Sequence, residues 1–287
     1  MFSRIIQGVM TWGEWGKKFN RQEMISQLNF CIEQGVTTFD HADIYGGYTN
    51  EEHFGTAFAE ANIQREDIQL ISKCGIQYKA ETRPQNEIKH YQYDKEYIIT
   101  STERSLKLLQ TDYLDLLLLH RPSPLMHPDE IAEAVTQLKT QGKINAFGVS
   151  NFSVSQMSLI QSRIPIDANQ IEFSLTAHNA LHDGTLDYMM EYEITPMCWS
   201  PLGKVFNEET AQAKRIHEVL DKLSDRYSGK KDQLLLAWIL KHPAAIHPVI
   251  GTTTKERVKD AKKATEIELE IQDWFELLVA SQGHKVP

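Results

Sequence analysis

Short apolar runs rich in β-branched residues alternate with longer amphipathic segments from one end of the 287-residue chain to the other. The short runs are Val36–Asp40, Ile68–Lys73, Tyr113–His120, Ile144–Ser150, Ile166–Ile171, Ile194–Ser200 and Ile246–Ile250, with a weaker one at Arg4–Gly8. Helical spacing of apolar residues occupies Arg21–Gln34, Glu51–Ala61, Asp94–Gln110, Asp129–Gln141, Ser153–Arg163, Thr185–Tyr192, Lys231–Lys241 and Thr254–Ala264. Strand and helix in strict alternation imply right-handed crossovers and a parallel sheet, hence an α/β fold. Eight such units, with no linker-like Gly/Ser/Pro stretch, predict closure into a (β/α)8 TIM barrel forming a single domain over residues 1–287. An open doubly wound sheet is the competing arrangement.

Two segments exceed the usual strand-to-helix loop. One is 74–93, rich in Gln, Lys, Tyr and His; the other is 203–230, with a helix expected over Glu208–Tyr227. Both follow a strand, so in a barrel both become extended loops at the C-terminal mouth, where active sites sit. The Gly-rich stretch Gly8–Gly16 reads either as a hairpin or as a loop near the site. Near the C-terminus, Trp274, Phe275, Leu277 and Leu278 lie at helical spacing within Ile271–Ser281 and read as a packing helix.

Composition removes several function classes. The formal net charge of -9 argues against a nucleic-acid partner, since phosphate binding normally comes with a basic face. The segment Met1–Gln7 lacks the pattern of a secretion signal, and no apolar run is long enough to cross a membrane, so a cytoplasmic protein without a membrane partner is expected. Cys31, Cys74 and Cys198 are dispersed without metal-type spacing and read as buried free thiols. No Gly-x-Gly-x-x-Gly opens a helix after a strand, and neither a P-loop, a Gly-x-Ser-x-Gly elbow nor a His-Glu-x-x-His pair is present. With the histidines scattered, no metal site is expected.

Ionisable residues close the early strands. Asp40 ends Thr37-Thr38-Phe39-Asp40, Lys73 ends Leu70-Ile71-Ser72-Lys73, His120 ends Leu116-Leu117-Leu118-Leu119-His120, and Tyr45 follows Asp40 by five residues. A Lys or Asp at the end of an apolar strand is costly unless it is paired or reaches the barrel mouth. Neighbouring parallel strands bring their ends together, so Asp40 is expected to pair with Lys73. A structural salt bridge flanked by two surface residues is the plainer reading of the same four positions.

Several passages carry a resemblance. Phe39-Asp40-His41-Ala42-Asp43-Ile44-Tyr45-Gly46, Thr111-Asp112-Tyr113-Leu114-Asp115-Leu116 through His120-Arg121-Pro122, and Gly142-Lys143-Ile144 through Gly148-Val149-Ser150-Asn151-Phe152 resemble signature regions of the aldo-keto reductase superfamily. Asn169-Gln170-Ile171-Glu172, Trp199-Ser200-Pro201-Leu202-Gly203 and Val249-Ile250-Gly251-Thr252-Thr253 follow in the family's order. The likeness extends to bacterial oxidoreductases with a long segment such as Ile88–Tyr97 after the lysine strand.

The resemblance implies reduction of an aldehyde or ketone by hydride from NADPH, with NAD as the lesser alternative. It implies Tyr45 as proton donor, Lys73 as the cation that eases proton release, Asp40 as the anchor of Lys73, and His120 as the group orienting the carbonyl oxygen. For the cofactor it implies Ser150, Asn151 and Gln170 at the carboxamide, and Trp199 stacked on nicotinamide in place of the family's usual Tyr. Ser200 and Leu202 would lie along the pyrophosphate. Gly251, Thr252, Thr253, Lys255 and Arg257 would lie around the adenosine 2′-phosphate; Gly251 stands where many relatives have Lys.

Thr253 and Glu256 form a capping-box pattern, so a helix with free N–H groups is expected to begin there. Trp12, Trp15 and Tyr48 are expected at the mouth as an aromatic substrate wall, with Met10 nearby, favouring aromatic or medium-chain carbonyl compounds over open-chain sugars. Two other functions compete: an NADPH-binding regulatory or redox-sensing subunit with little turnover, and a barrel isomerase or aldolase for a sugar phosphate. The sequence leaves the oligomeric state open.

Overall fold

The alternating pattern resolves into eight parallel strands closed into a barrel: β1 Ile6–Gly8, β2 Thr38–Asp40, β3 Gln69–Cys74, β4 Leu114–Leu119, β5 Ile144–Ser150, β6 Ala168–Glu172, β7 Thr195–Trp199 and β8 His247–Ile250. The structure, a computed structural model, describes residues 2–286; Met1 and Pro287, the ends of the span expected to form one domain, lie outside them. Each strand pairs with its sequence neighbours, and β8 returns to β1 through Ile6 opposite Val249. Closure leaves no exposed sheet edge, which is the barrel's solution to strand pairing. The open doubly wound alternative is thereby excluded.

Helices α1 Arg21–Glu33, α2 Asn50–Glu60, α3 Lys95–Leu109, α4 Pro128–Thr140, α5 Val154–Gln161 and α6 Thr185–Glu191 follow the first six strands. Two helices, α7 Ala211–Tyr227 and α8 Lys231–Leu240, follow β7, then α9 Lys255–Lys263 follows β8 and α10 Ile271–Gln282 ends the chain. Local chemistry starts several of them. Asn20 with Glu23 and Ser153 with Gln156 form capping boxes at α1 and α5. Asp94 and Thr210 accept from Tyr97 N and Ala213 N at α3 and α7.

The core has two layers because side chains alternate across each strand. Ile6, Ile71, Leu116, Leu118, Ala168, Met197 and Val249 fill the barrel interior. The opposite faces bury Leu70, Leu117, Leu119, Phe147 and Val149 against the helices. A side chain of this kind is worth about 1.5–3 kcal/mol when fully buried. Inside the barrel, a Cβ on Gly148 would meet Ala168 O at 2.4 Å and Leu118 Cδ2 at 2.7 Å. Glycine at 148 is therefore what lets Leu118 fill the centre.

The long segments differ in character. Within 74–93, Ile76–Gln77 pairs antiparallel with His90–Tyr91, a small hairpin standing on the barrel mouth. The helix expected over Glu208–Tyr227 begins three residues later, at Ala211. Gly8–Gly16 is a series of turns after β1 rather than a hairpin. In α10, Trp274 stacks on Trp238 of α8 at 4.9 Å, and each indole N–H donates to the other's carbonyl. The C-terminal helix thus packs as expected, and Ser281 ties its end to Leu175 O beyond β6. All three cysteines are buried, and burial pushes their thiols up. Among the described residues no helix is long and apolar enough to cross a membrane, and no cluster of metal-type side chains forms.

Candidate active site

Period-two alternation places Lys73 above Ile71 inside the barrel, while Ser72 between them faces outward and donates to Glu51 of α2 at 2.6 Å. Register sets Asp40 opposite Ile71, one step below Lys73, so the two charged side chains meet inside the mouth. The Lys73 ammonium uses three acceptors: Asp40 Oδ2 at 2.7 Å, His41 O at 2.7 Å and the Tyr45 hydroxyl at 3.2 Å. Burial alone would lower the ammonium, but Asp40 and Tyr45 outweigh it and its pKa ends above the ordinary value. Lys73 is a fixed, buried cation.

Tyr45 sits on a tight turn whose following glycines, Gly46 and Gly47, take φ of +60° and +70°. Its phenol departs from the simplest expectation. Lys73 does pull the phenol down, but burial is the larger influence and the pKa ends raised. The group therefore stays protonated through neutral pH. His120 directly follows β4, with its ring centroid 6.1 Å from that of Tyr45. Burial, reinforced by Lys73, Arg121 and Lys89, holds the imidazole well below its ordinary value, so the ring is neutral. Its Nδ1 is buried without a protein partner.

A chain of hydrogen bonds continues around the mouth. Gln170 donates to Asp40 Oδ1 at 2.9 Å, and Ser150 donates to Gln170 O at 2.9 Å. Asn151 donates to the Ser150 hydroxyl at 2.8 Å and accepts from Trp199 Nε1 at 3.0 Å. Asn151 and Ser200 take φ of +60° and +52°, the left-handed conformation that turns the chain sharply at a strand end. Leu202 packs partly on the core, and Gly203 approaches Thr176.

The helix expected after β8 forms, with a different start. Thr254, not Thr253, is the N-cap of α9, and it provides no side-chain cap. The Thr252 hydroxyl instead accepts from Thr254 N at 3.2 Å, which delays the helix by one residue. Glu256, expected to complete a capping box, lies 3.6 Å from Lys230. The opening N–H groups of α9 are left without a side-chain acceptor, with Arg257 exposed in the first turn. Gly251 is exposed with open space around it. Lys255 is committed elsewhere: it donates to Ser26 of α1 at 2.7 Å and lies over Phe30.

The aromatic wall needs correction. Trp12 is 1 % exposed and packs against Phe19, Phe39 and Phe54. Phe19 N donates to Trp12 O, folding the loop so that the indole turns down into the core and away from the mouth. Tyr48, also buried, spends its hydroxyl on the backbone of Ile76 and Tyr78 and stacks on the Tyr78 ring at 5.3 Å. Of the three, Trp15 is exposed, with its ring 6.2 Å from that of Tyr45. Tyr78, which no sequence signal singled out, lies beside it with its ring 6.3 Å from that of Trp15. Its signal was weak, one of three tyrosines in a long polar segment with no pattern to single it out. Met10 is exposed on the rim.

The aldo/keto reductase family profile matches residues 4–278. The uncharacterized oxidoreductase YcsN of Bacillus subtilis is 42% identical over the whole of this chain and 96% of its own length. A 6-dehydroglucose reductase of Agrobacterium fabrum is 37% identical over 99% of this chain and 96% of its own. An aldo/keto reductase from Klebsiella pneumoniae, solved in complex with NADP and acetate, superposes with a TM-score of 0.81 at 26% identity, covering 100% of this chain and 93% of that one.

Proposed function

Because the chain belongs to the aldo/keto reductase family, we propose that it reduces an aldehyde or ketone to the alcohol with hydride from NADPH, Tyr45 supplying the proton. The observation that carries this reading is the three-way commitment of Lys73 to Asp40, His41 O and Tyr45 inside a closed barrel mouth. A salt bridge serving stability alone has no need to hold a phenol as well.

Each residue has a physical task. The protonated Tyr45 hydroxyl donates a hydrogen bond to the substrate oxygen and releases its proton as negative charge develops there. Lys73, 3.2 Å away, stabilises the phenolate left behind. Asp40 keeps Lys73 charged and fixed. The neutral His120 ring, 6.1 Å from that of Tyr45, offers an N–H as a second donor to the same oxygen.

NADPH supplies the hydride when bound. The residues present fit that group. Trp199 offers a partly exposed ring at the mouth, and the Ser150, Asn151 and Gln170 polar chain lies beside it for the carboxamide. Ser200 and Leu202, on the loop directly after β7, would hold the diphosphate. The uncapped N-terminus of α9, with Thr252, Thr253 and Arg257, suits a 2′-phosphate. Lys255 and Gly251 contribute less, since the first is bonded to Ser26 and the second has no side chain.

Steady-state turnover of an aldehyde panel with NADPH and NADH tests the proposal. Multiple turnover supports it; tight retention of NADPH with negligible turnover points to a regulatory subunit instead. Within that panel, the wall of Trp15, Tyr45 and Tyr78 and the exposed rim of Met10, Ile88 and Leu125 favour aromatic or medium-chain aldehydes over open-chain sugars in kcat/KM. A clear preference for sugars refutes that expectation and aligns this chain with the relative named for 6-dehydroglucose.

Arg257→Ala tests the cofactor assignment. Charge-assisted hydrogen bonds are worth roughly 1.5–3 kcal/mol net, and about 1.4 kcal/mol is one decade of affinity. NADPH binding, read by nicotinamide fluorescence, should therefore weaken by about tenfold to a hundredfold. NADH lacks the phosphate and should change little. Equal weakening of both cofactors would show that Arg257 shapes α9 and does not read the phosphate.

A further inference from the structure

The segment after β3 fixes a cation at the mouth. Gly75 has φ of +114°, and a Cβ there would meet the Tyr93 ring at 2.0 Å, so glycine is what lets that ring lie across the end of β3. Tyr93 is 5 % exposed and uses its hydroxyl twice on one residue. It donates to Arg121 O at 2.6 Å and accepts from Arg121 N at 3.1 Å. Arg121 directly follows His120, so a buried side chain satisfies both its backbone groups at the end of β4.

The Arg121 side chain, in contrast, has no partner of opposite charge among the described residues. Arginine–carboxylate pairs among the described residues are made by Arg21, Arg65, Arg104, Arg163 and Arg226. Arg121 belongs to none of them, although it is only partly exposed. Its guanidinium carbon lies 5.4 Å from the Trp199 ring centroid, so it reaches from β4 toward β7 across the ends of β5 and β6. Its charge acts on both Tyr45 and His120, and Lys89 adds a second cation near His120. A fork of donors without an acidic partner, held beside the reacting groups, matches a planar carboxylate.

We propose, on the carbonyl-reductase reading above, that Arg121 is a specificity-determining residue binding the carboxylate of an oxo-acid substrate, with Tyr93 as its positioning residue. The carboxylate takes no part in the chemistry: hydride adds to the carbonyl carbon and the proton to its oxygen. The anion serves to orient the carbonyl and to favour charged over neutral aldehydes.

The test uses 3- and 4-carboxybenzaldehyde against their methyl esters, which keep the ring and aldehyde and remove the charge. Binding is read first, on enzyme loaded with oxidised NADP, by tryptophan fluorescence; kcat/KM with NADPH follows. Arg121→Gln should weaken carboxybenzaldehyde binding by about tenfold to a hundredfold and raise its KM, with the esters changed less than about threefold. Because Arg121 also lies over the Trp199 ring, affinity for NADPH need not stay constant but should change less than affinity for the acids. Tyr93→Phe should raise KM for the charged aldehydes with kcat and the ester KM unchanged; an unchanged KM overturns the positioning role. Equal losses for acid and ester, a loss confined to cofactor affinity, or native enzyme binding the acids no better than the esters overturns the carboxylate site. Absence of turnover for every aldehyde, with acid binding still dependent on Arg121, overturns the reductase reading and leaves the anion site standing.

Discussion

Tyr45→Phe should lower kcat for aldehyde reduction by roughly 10²–10⁴-fold while leaving NADPH affinity nearly unchanged. The substitution removes one hydroxyl and keeps the ring against Trp15 and His120. Lys73 loses one of three acceptors but retains Asp40 and His41 O, so the mouth should keep its shape. What disappears is the proton source. The native phenol is held above its ordinary value, so it is a loaded donor at neutral pH, and the neighbouring ammonium lowers the cost of the phenolate only as the proton leaves. Steady-state kinetics beside a cofactor titration separate the two quantities. Retention of most activity in this variant would show that another group, His120 or a water, delivers the proton.

Much of this site was legible because barrel strands obey two simple rules. Each strand is buried on both faces, so it reads as a near-continuous apolar run, and β4 with Leu116, Leu117, Leu118 and Leu119 is the clearest case. Each strand's end lies at one mouth, so ionisable residues closing β2, β3 and β4 had to converge. β1 was faint because it is only three residues long and one of them is Gln7. What escaped the sequence depended on contacts between distant segments. Trp12 and Trp15 look alike in a loop, and only the pocket made by Phe39 and Phe54 decides which turns inward. The start of α9 turned on whether Thr252 or Thr253 supplied an acceptor, a difference of one residue that local pattern does not resolve. Arg121 was visible beside His120, yet its fixed backbone depends on Tyr93, which lies 28 residues earlier and on the far side of a hairpin. The balance at Tyr45 was also hidden, since burial outweighs the cation only once the depth of the mouth is known.

The depth of that mouth makes Lys73→Met the most destabilising single change expected here. Lys73 is 1 % exposed and Asp40 2 %, so removing the ammonium strands a carboxylate in the barrel interior. Gln170 Nε2, at 2.9 Å, would be its remaining side-chain donor, and a neutral amide cannot offset a full charge. Breaking one side of a buried ion pair typically costs about 3–5 kcal/mol, a large share of the ~5–15 kcal/mol that holds a folded chain together. At roughly 2–4 °C per kcal/mol for large domains, Tm should fall by about 6–20 °C in a thermal melt. Activity should fall too, because Tyr45 loses the cation that stabilises its phenolate. These effects can be separated by a second substitution. Lys73→Met with Asp40→Asn removes both charges and leaves neutral groups of similar shape, so most of the lost Tm should return while activity stays low. If the double variant is no more stable than Lys73→Met alone, the loss comes from packing around the lysine stem, and the unpaired Asp40 carboxylate is not its cause. If Lys73→Met melts like the native protein, Asp40 does not depend on Lys73 to carry its charge, and the paired-ion description of the mouth fails.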